Sequence, residues 1–397
     1  MEKIKVLELF AGIGACSKAL KNIGINTEIV DAVEIDEYAI KSFNVIHNTN
    51  FDIQNVENWN KNIEVDLISY GSPCQDFSIA GKQAGGDIGS GTRSSKIYEA
   101  IRIVGNIKPK YVLWENVKNL LSQKHKHIFD DYIEKMNNLG YNSYYQVLNA
   151  KDYGVPQNRE RIYTISIRKD IDNKSFKFPE KEELKLRLKD VLEDVVDEKY
   201  YLKENQIQNF IKNNEKNCNP SGKGMNGKVY RENVAPTITT NKGEGLKIDV
   251  VGMLGIKGNE SIRRVYSKEG ISPTITDMQG GNRQPKILIK NATKKGYIEA
   301  NDGDSINLAF PTSNTRRGRV GKQVSQTLQC NDTMGVYDKR IRKLTPKECW
   351  RLMGFDDEDF EKAASIPTSN RQLYKQAGNS IVVKVLEKIF INLFMEE

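Results

Sequence analysis

Apolar runs and polar breaks divide the first part of the chain into short strands and amphipathic helices. Lys5 to Phe10 predicts a buried strand, Ala11-Gly12-Ile13-Gly14 interrupts it, and apolar positions return at helical spacing from Ala15 to Ile23. Thr27 to Val33 predicts a second strand ending at Glu34-Ile35-Asp36, and Glu37 to His47 a second helix. Val65 to Tyr70 runs into Gly71-Ser72-Pro73, Tyr111 to Trp114 runs into Glu115-Asn116, and Arg161 to Ile167 adds one more strand. Strands alternating with helices predict a mostly parallel sheet covered on both faces, with ligands at the carboxyl ends of its strands.

Beyond about Ser175 the pattern changes to short strand-like pieces rich in Gly and Asn, with an internal echo. Val229-Tyr230 precedes Ala235-Pro236-Thr237-Ile238-Thr239, and Val265-Tyr266 precedes Ser272-Pro273-Thr274-Ile275-Thr276. Val320-Gly321 with Ser325-Gln326-Thr327-Leu328 is a fainter third copy. Unequal spacing excludes a solenoid, so these read as β-ribbon units with polar tips. Helical texture returns at Leu344, and Val382 to Phe394 closes the chain as an amphipathic helix. The expected organisation is a catalytic domain over residues 1–172, a β-rich domain over 173–338, and a return segment, 339–397, that completes the first domain.

Composition narrows the class. With 397 residues, 38% apolar and 28% charged, the chain has the balance of a globular protein and exceeds the ~100–200 residues of one ordinary domain. No apolar stretch at the N-terminus reads as a signal peptide, so a cytoplasmic protein that does not enter a membrane is expected. The five cysteines, Cys16, Cys74, Cys218, Cys330 and Cys349, are odd in number and lack Cys-x-x-Cys spacing, which argues against disulfides and zinc. His125 and His127 read as a solvated helix start rather than metal ligands. The net charge of +8 is concentrated: Asn205 to Asn331 carries 20 Lys and Arg against 10 Asp and Glu, a net +10, leaving −2 elsewhere. Such a segment suits a phosphate backbone, and equally a solvated lysine-rich surface.

Several groups of residues could carry chemistry. Phe10 to Gly14, between strand and helix, would let backbone approach a nucleotide-like ligand, or only pack helix on strand. Glu34, at the end of the second strand, can hold the hydroxyls of a ribose, and the lack of a complete dinucleotide fingerprint favours S-adenosylmethionine over NAD. Pro73-Cys74-Gln75 presents a thiol at a strand end, as a nucleophile or as a packing cysteine. The glycines from Gly81 to Gly91 fit a mobile lid or an ordinary loop. Glu115 can donate a proton to a ring nitrogen or cap a helix. Arg159 and Arg161, two apart on an extended segment, face one side and can orient a carboxylate and a phosphate, or lie in surface salt bridges.

In this order these elements resemble the DNA (cytosine-5) methyltransferases of bacteria and phages. The shared elements are Phe10 to Gly14, Pro73-Cys74-Gln75, Glu115-Asn116-Val117, Gln157 to Arg161 and Gly378-Asn379-Ser380. Arg342 to Pro346, Glu348 and Met353-Gly354-Phe355 extend the resemblance, which covers about residues 1–170 and 338–397. It implies an α/β fold with a Rossmann-like S-adenosylmethionine-dependent domain and a smaller, β-rich target-recognition domain. It also implies a metal-free transfer of methyl from S-adenosylmethionine to carbon 5 of cytosine in double-stranded DNA, leaving S-adenosylhomocysteine. Cys74 would be the nucleophile, Glu115 the partner of N3, with Gln75, Arg159 and Arg161 in the catalytic group. Phe10, Gly12, Gly14, Glu34, Asp52, Ile53, Pro73 and Asn379 would form the cofactor site, and Asn379 would also brace the turn beside Cys74. Ser78, Arg316, Arg317, Arg319, Gln329 and Asn331 would meet DNA, the last five from loops flanking Thr327-Leu328. A restriction endonuclease acting separately is a possible partner of what is expected to be a monomer; a phage or orphan enzyme is the other setting. Lys96 departs from the family, which usually has an apolar residue in Arg93-Ser94-Ser95-Lys96-Ile97. A same-fold enzyme acting on transfer RNA would share the five elements, but the long middle segment favours duplex DNA.

Overall fold

A computed structural model describes residues 3–73, 92–201, 250–253, 264–266, 287–293, 296–301, 303–310, 313, 315–328, 330, 334–338 and 340–395. Two compact units emerge from it: residues 1–196, 323–333 and 344–397 form the first, and 197–322 with 334–343 the second. The first unit thus runs past the expected limit at residue 172 and takes in 323–333, while 339–343, expected in the return segment, falls in the second.

The first unit is built on β1 (Ile4–Leu9), β2 (Thr27–Val33), β3 (Leu67–Gly71), β4 (Tyr111–Val117), β5 (Tyr141–Asn149), the two-residue β6 (Gln157–Asn158) and β7 (Glu160–Arg168). Its main sheet has the order β2-β1-β3-β4-β7-β5; the first four strands are parallel, and β7 runs antiparallel to both of its neighbours. Helices α1 (Ala15–Asn22), α2 (Glu37–His47), α3 (Ile97–Ile107) and α4 (Lys126–Asn138) connect the strands. Alternation along β1 splits its side chains between the sheet faces. Leu7 and Leu9 join Ile68, Tyr70, Val112 and Trp114 in a core with Ile101 and Val104 of α3 and Phe129 and Tyr132 of α4. His125, expected on a solvated surface, is instead buried at the N-cap of α4.

The return segment supplies α5 (Pro346–Arg351), α6 (Asp357–Ser365), α7 (Asn370–Asn379) and α8 (Val383–Phe394). Thr345 and Glu348 form a capping box that starts α5. The buried Lys18 of α1 reaches Asp356 at 2.5 Å and Asp359 at 2.8 Å, and Gln376 of α7 donates to the Tyr38 carbonyl at 3.0 Å and the Ser42 hydroxyl at 2.9 Å. These polar anchors fix the C-terminal helices on α1 and α2.

The second unit contains the pairs β8 (Val250–Met253) with β9 (Arg264–Tyr266) and β10 (Ile287–Lys290) with β11 (Tyr297–Ala300). A further sheet has the order β13 (Val320–Gly321), β12 (Ser305–Asn307), β15 (Met334–Asp338), β16 (Arg340–Lys343). Ile289, Ala300, Ile306, Leu308 and Val320 form its core. The intervening β14 (Ser325–Gln326) pairs with β6 in the first unit. No helix among the described residues is long and apolar enough to cross a membrane.

Glu8, on the face of β1 opposite Leu7 and Leu9, is buried, and it accepts from the Ser17 amide at 3.0 Å and the Ser17 hydroxyl at 2.5 Å. It thereby serves the first turn of α1, whose N-cap, Gly14, has no side chain to offer. Burial pushes its carboxyl up to about 7, against the hydrogen bonds from Ser17. The folded state therefore keeps a proton that the unfolded chain releases from about pH 4.5, so stability falls as pH rises from there to about 7, by about 3 kcal/mol. We predict that Glu8→Gln, which keeps the acceptor and removes the charge, leaves urea stability at pH 5 nearly unchanged and raises it at pH 8. Equal destabilisation at both pH values would contradict this account.

Candidate active site

The loop from β1 to α1 turns through left-handed backbone. Phe10 and Gly12 have φ of +50° and +56°, and Gly14 has +81°. Any side chain at Gly14 would collide with the His47 imidazole and come within 2.8 Å of the Phe43 ring, so only glycine fits there. The Gly12 amide donates to Glu34 Oε2 at 2.9 Å, and the Asp36 amide to Glu34 Oε1 at 2.8 Å. Burial raises the Glu34 carboxyl above its ordinary range, and these backbone donors oppose the rise. Asp52 and Ile53 stand on the long connection from α2 to β3. Ile35 is 68% exposed and Ile53 52%, large apolar side chains left on the surface next to Glu34 and Asp52 in the sequence. The Asp52 carboxylate has no hydrogen-bond or ion-pair partner among the described residues.

β3 and β4 bring the other predicted group together. Gly71 pairs in register with Glu115, and a Cβ on Gly71 would lie 3.3 Å from Glu115 Oε2 and 3.5 Å from Ile381 Cδ1. A larger residue at this position would press on the carboxylate. β4 runs to Val117, so Glu115 and Asn116 are strand residues rather than the residues after its end; pairing with β7 carries the ladder through them. That pairing rules out the helix-capping alternative for Glu115. The Ser72 hydroxyl accepts from Trp114 Nε1 at 2.9 Å and Asn116 Nδ2 at 3.0 Å. Both donors lie on β4, so β4 fixes the residue that leads into Pro73. Cys74, Gln75 and Ser78 lie outside the described residues.

Glu115 is 8% exposed, and burial raises its carboxyl above the ordinary range while Arg161 and Arg159 oppose the rise. Arg161 Nε stands 3.1 Å from Glu115 Oε1. The two arginines have different partners. Arg159, also buried, donates to the Ser380 carbonyl at 2.9 Å, the Gly378 carbonyl at 3.3 Å and the Leu328 carbonyl at 3.4 Å. It braces the carbonyls of the residues on both sides of Asn379, whose Oδ1 accepts from Cys330 Sγ at 2.7 Å. Gln157 adds a second brace: its Nε2 donates to the Leu352 carbonyl at 2.7 Å, and its Oε1 accepts from the Leu328 amide at 3.1 Å. Residues 325–328, which in sequence belong to the variable middle, are thus strapped to the catalytic unit. No periodicity in the sequence announces these long-range contacts.

Lys96, the departure from the family pattern, forms an ion pair with Glu57. Among the predicted DNA-contacting residues, Arg319 needs correction. It is 1% exposed, and its guanidinium donates to the carbonyls of Phe310 at 2.7 Å, Ala309 at 3.1 Å and Asn307 at 3.4 Å. A buried guanidinium committed to three carbonyls is a strut, not a base reader. Arg317 is exposed, with Nε on the Ala292 carbonyl at 2.9 Å, and the half-buried Arg316 lies 4.7 Å over the Phe310 ring. Gln329 and Asn331 lie outside the described residues.

A model of the C-5 cytosine-specific DNA methylase family matches residues 4–395. The chain is 40% identical to the orphan methyltransferase M.SPRI of Bacillus phage SPR, covering 99% of this chain and 98% of that protein. It is 30% identical to the type II methyltransferase M.HhaI of Haemophilus parahaemolyticus, covering 98% and 94%. Among solved structures, the Entamoeba histolytica methyltransferase EhMeth aligns over the whole of both chains with a TM-score of 0.58 at 16% identity, a likeness of fold. The chain belongs to the C-5 cytosine-specific DNA methylase family and is a DNA (cytosine-5-)-methyltransferase.

Proposed function

We propose that the chain methylates carbon 5 of cytosine within a specific sequence of double-stranded DNA, through a covalent bond from Cys74 to C6 of a flipped-out base. The observation that carries this reading is the buried Glu115 beside the strand end from which the chain runs to Cys74, held by Arg161 at 3.1 Å. C5 of cytosine is a weak nucleophile. Addition of the Cys74 thiolate at C6 breaks the C5=C6 double bond and makes C5 enamine-like. Electron density moves toward N3, where Glu115, whose carboxyl burial raises above its ordinary range, donates a proton or a hydrogen bond. Once C5 carries the methyl group, loss of its proton re-forms the C5=C6 double bond as the C6–sulfur bond breaks and Cys74 departs. Because C6 is stacked inside the duplex, the base must leave the helix, at a cost of a few kcal/mol.

S-adenosylmethionine supplies the electrophilic methyl when bound. The residues present fit it: Glu34 offers carboxylate oxygens to a ribose, the unpartnered Asp52 suits an adenine amino group, and Ile35 and Ile53 offer apolar surface to a ring. Phe10, Gly12, Gly14, Pro73 and Asn379 complete the proposed pocket, and Gln75 and Arg159 support the catalytic group. The setting is the cytoplasm of a bacterial cell or phage-infected host, either beside a restriction endonuclease or as an orphan enzyme; orphan phage relatives at 35–40% identity favour the latter.

Base reading is assigned to the loops around Thr327-Leu328, with Arg316 and Arg317, Gln329 and Asn331 as readers and Ser78 as a further DNA contact. Arginine pairs with guanine O6 and N7 in the major groove, and loss of one such contact costs ~1–3 kcal/mol at one base pair. Bisulfite sequencing of DNA from cells expressing the chain should show one modified cytosine context, and alanine at Arg316 or Arg317 should relax that context at one position. Methyl incorporation into RNA but not DNA would overturn the assignment. An unchanged context in both variants, with only salt-sensitive loss of affinity, would reassign these arginines to phosphate.

A further inference from the structure

The two residues proposed to meet the adenine, Asp52 and Ile53, lie between clamps that the cofactor itself would not touch. On one side, Asn44 of α2 holds the Phe51 peptide: its Oδ1 accepts from the Phe51 amide at 2.9 Å and its Nδ2 donates to the Phe51 carbonyl at 2.9 Å. On the other side, Gln54 donates its backbone amide to the Glu34 carbonyl at 2.9 Å and its Nε2 to Asp31 Oδ1 at 2.7 Å. Asp31 is 1% exposed, and its second oxygen accepts from Trp59 Nε1 and Lys61 Nζ, both at 2.8 Å. Despite burial, the bonds from Lys61, Trp59 and Gln54 hold its carboxyl below the usual carboxylate range. Arg102 of α3 closes the same loop, donating to the Val56 carbonyl at 3.1 Å and the Trp59 carbonyl at 3.0 Å.

We infer that Asp31 is a positioning residue for S-adenosylmethionine: with Asn44 and Arg102 it preorganises residues 51–59, so that Asp52 and Ile53 are in place before the cofactor arrives. The inference rests on the cofactor reading of Glu34, Asp52 and Ile53. One buried carboxylate gathers Gln54, Trp59 and Lys61, and without it the loop must be ordered at the expense of binding. Asparagine at position 31 would keep the size, lose the negative charge that pairs with Lys61 and turn an amide donor toward groups that already donate to this side chain.

The full-length chain tests this with S-adenosylhomocysteine calorimetry and steady-state kinetics on DNA. Asp31→Asn should weaken cofactor affinity about tenfold, the equivalent of ~1.4 kcal/mol. Trp59→Phe, which removes one bond and keeps the packing, should weaken it about threefold. In both, KM for S-adenosylmethionine should rise while kcat at saturating cofactor and affinity for DNA stay unchanged. Glu34→Ala serves as the reference variant. If it loses cofactor affinity while Asp31→Asn and Trp59→Phe keep theirs, or if these two lower kcat or melting temperature without moving KM, the positioning role is wrong. If Glu34→Ala itself leaves affinity unchanged, the cofactor reading fails and takes this inference with it.

Discussion

Replacing Cys74 by serine is expected to bring methyl transfer to background while cofactor and DNA binding persist. The hydroxyl is nearly the size of the thiol but ionises far less readily, so the step that activates C5 is lost, whereas the contacts that bind substrate are kept. The geometry that leads to Cys74 does not depend on sulfur. Ser72 is tied to Trp114 and Asn116, and Gly71 lies in register with Glu115. Single-turnover assays with labelled cofactor would separate chemistry from binding. Near-normal turnover in Cys74→Ser would contradict covalent catalysis.

The second large effect is expected at Glu115. Removing its carboxyl with Glu115→Ala should lower kcat by ~10²–10⁴-fold, the range of a general acid, with cofactor affinity preserved. Glu115→Gln should fall between the two, because an amide N–H can donate a hydrogen bond to N3 but not a proton. The raised carboxyl also sets a pH dependence. The proposed mechanism uses protonated Glu115, whose population extends to higher pH than that of an ordinary glutamate, so activity limited by it should decline as pH rises through its folded-state value. In Glu115→Gln that decline should vanish from the profile of single-turnover rates. A profile identical to that of the wild-type protein would assign the decline to another group.

The sequence announced those parts of the site that depend on local patterns. The β1-glycine-α1 unit, the strand ends at Glu34 and Gly71, and the order of the short elements were readable because each joins a run of apolar residues to a few special ones. What local pattern does not encode is partner choice across the fold. Nothing near Arg319 in the sequence distinguishes it from Arg317, yet one is buried on the carbonyls of residues 307–310 and the other is exposed. A basic run looked like a uniform DNA-facing loop because charge was visible and burial was not. Spacing places Arg159 with Arg161, but its guanidinium is bound to carbonyls some 220 residues later in the chain, on Gly378 and Ser380. Asp31 carried no signal at all. Its role arises from Gln54, Trp59 and Lys61, which follow it after a helix and a loop. Glu8 stood inside an apparently apolar strand and proved to be a buried cap for the helix that follows.

Covalent capture on DNA with 5-fluorocytosine at the target position tests the central claim most directly. Fluorine at C5 cannot leave as a proton, so after Cys74 has added at C6 and C5 has been methylated, the final elimination is blocked and the protein stays bonded to DNA. The account predicts a denaturant-stable, cofactor-dependent adduct with the wild-type protein, with the modified peptide containing Cys74, and none with Cys74→Ser. No adduct from an enzyme that methylates unmodified DNA, or an adduct mapped to another cysteine, would contradict it.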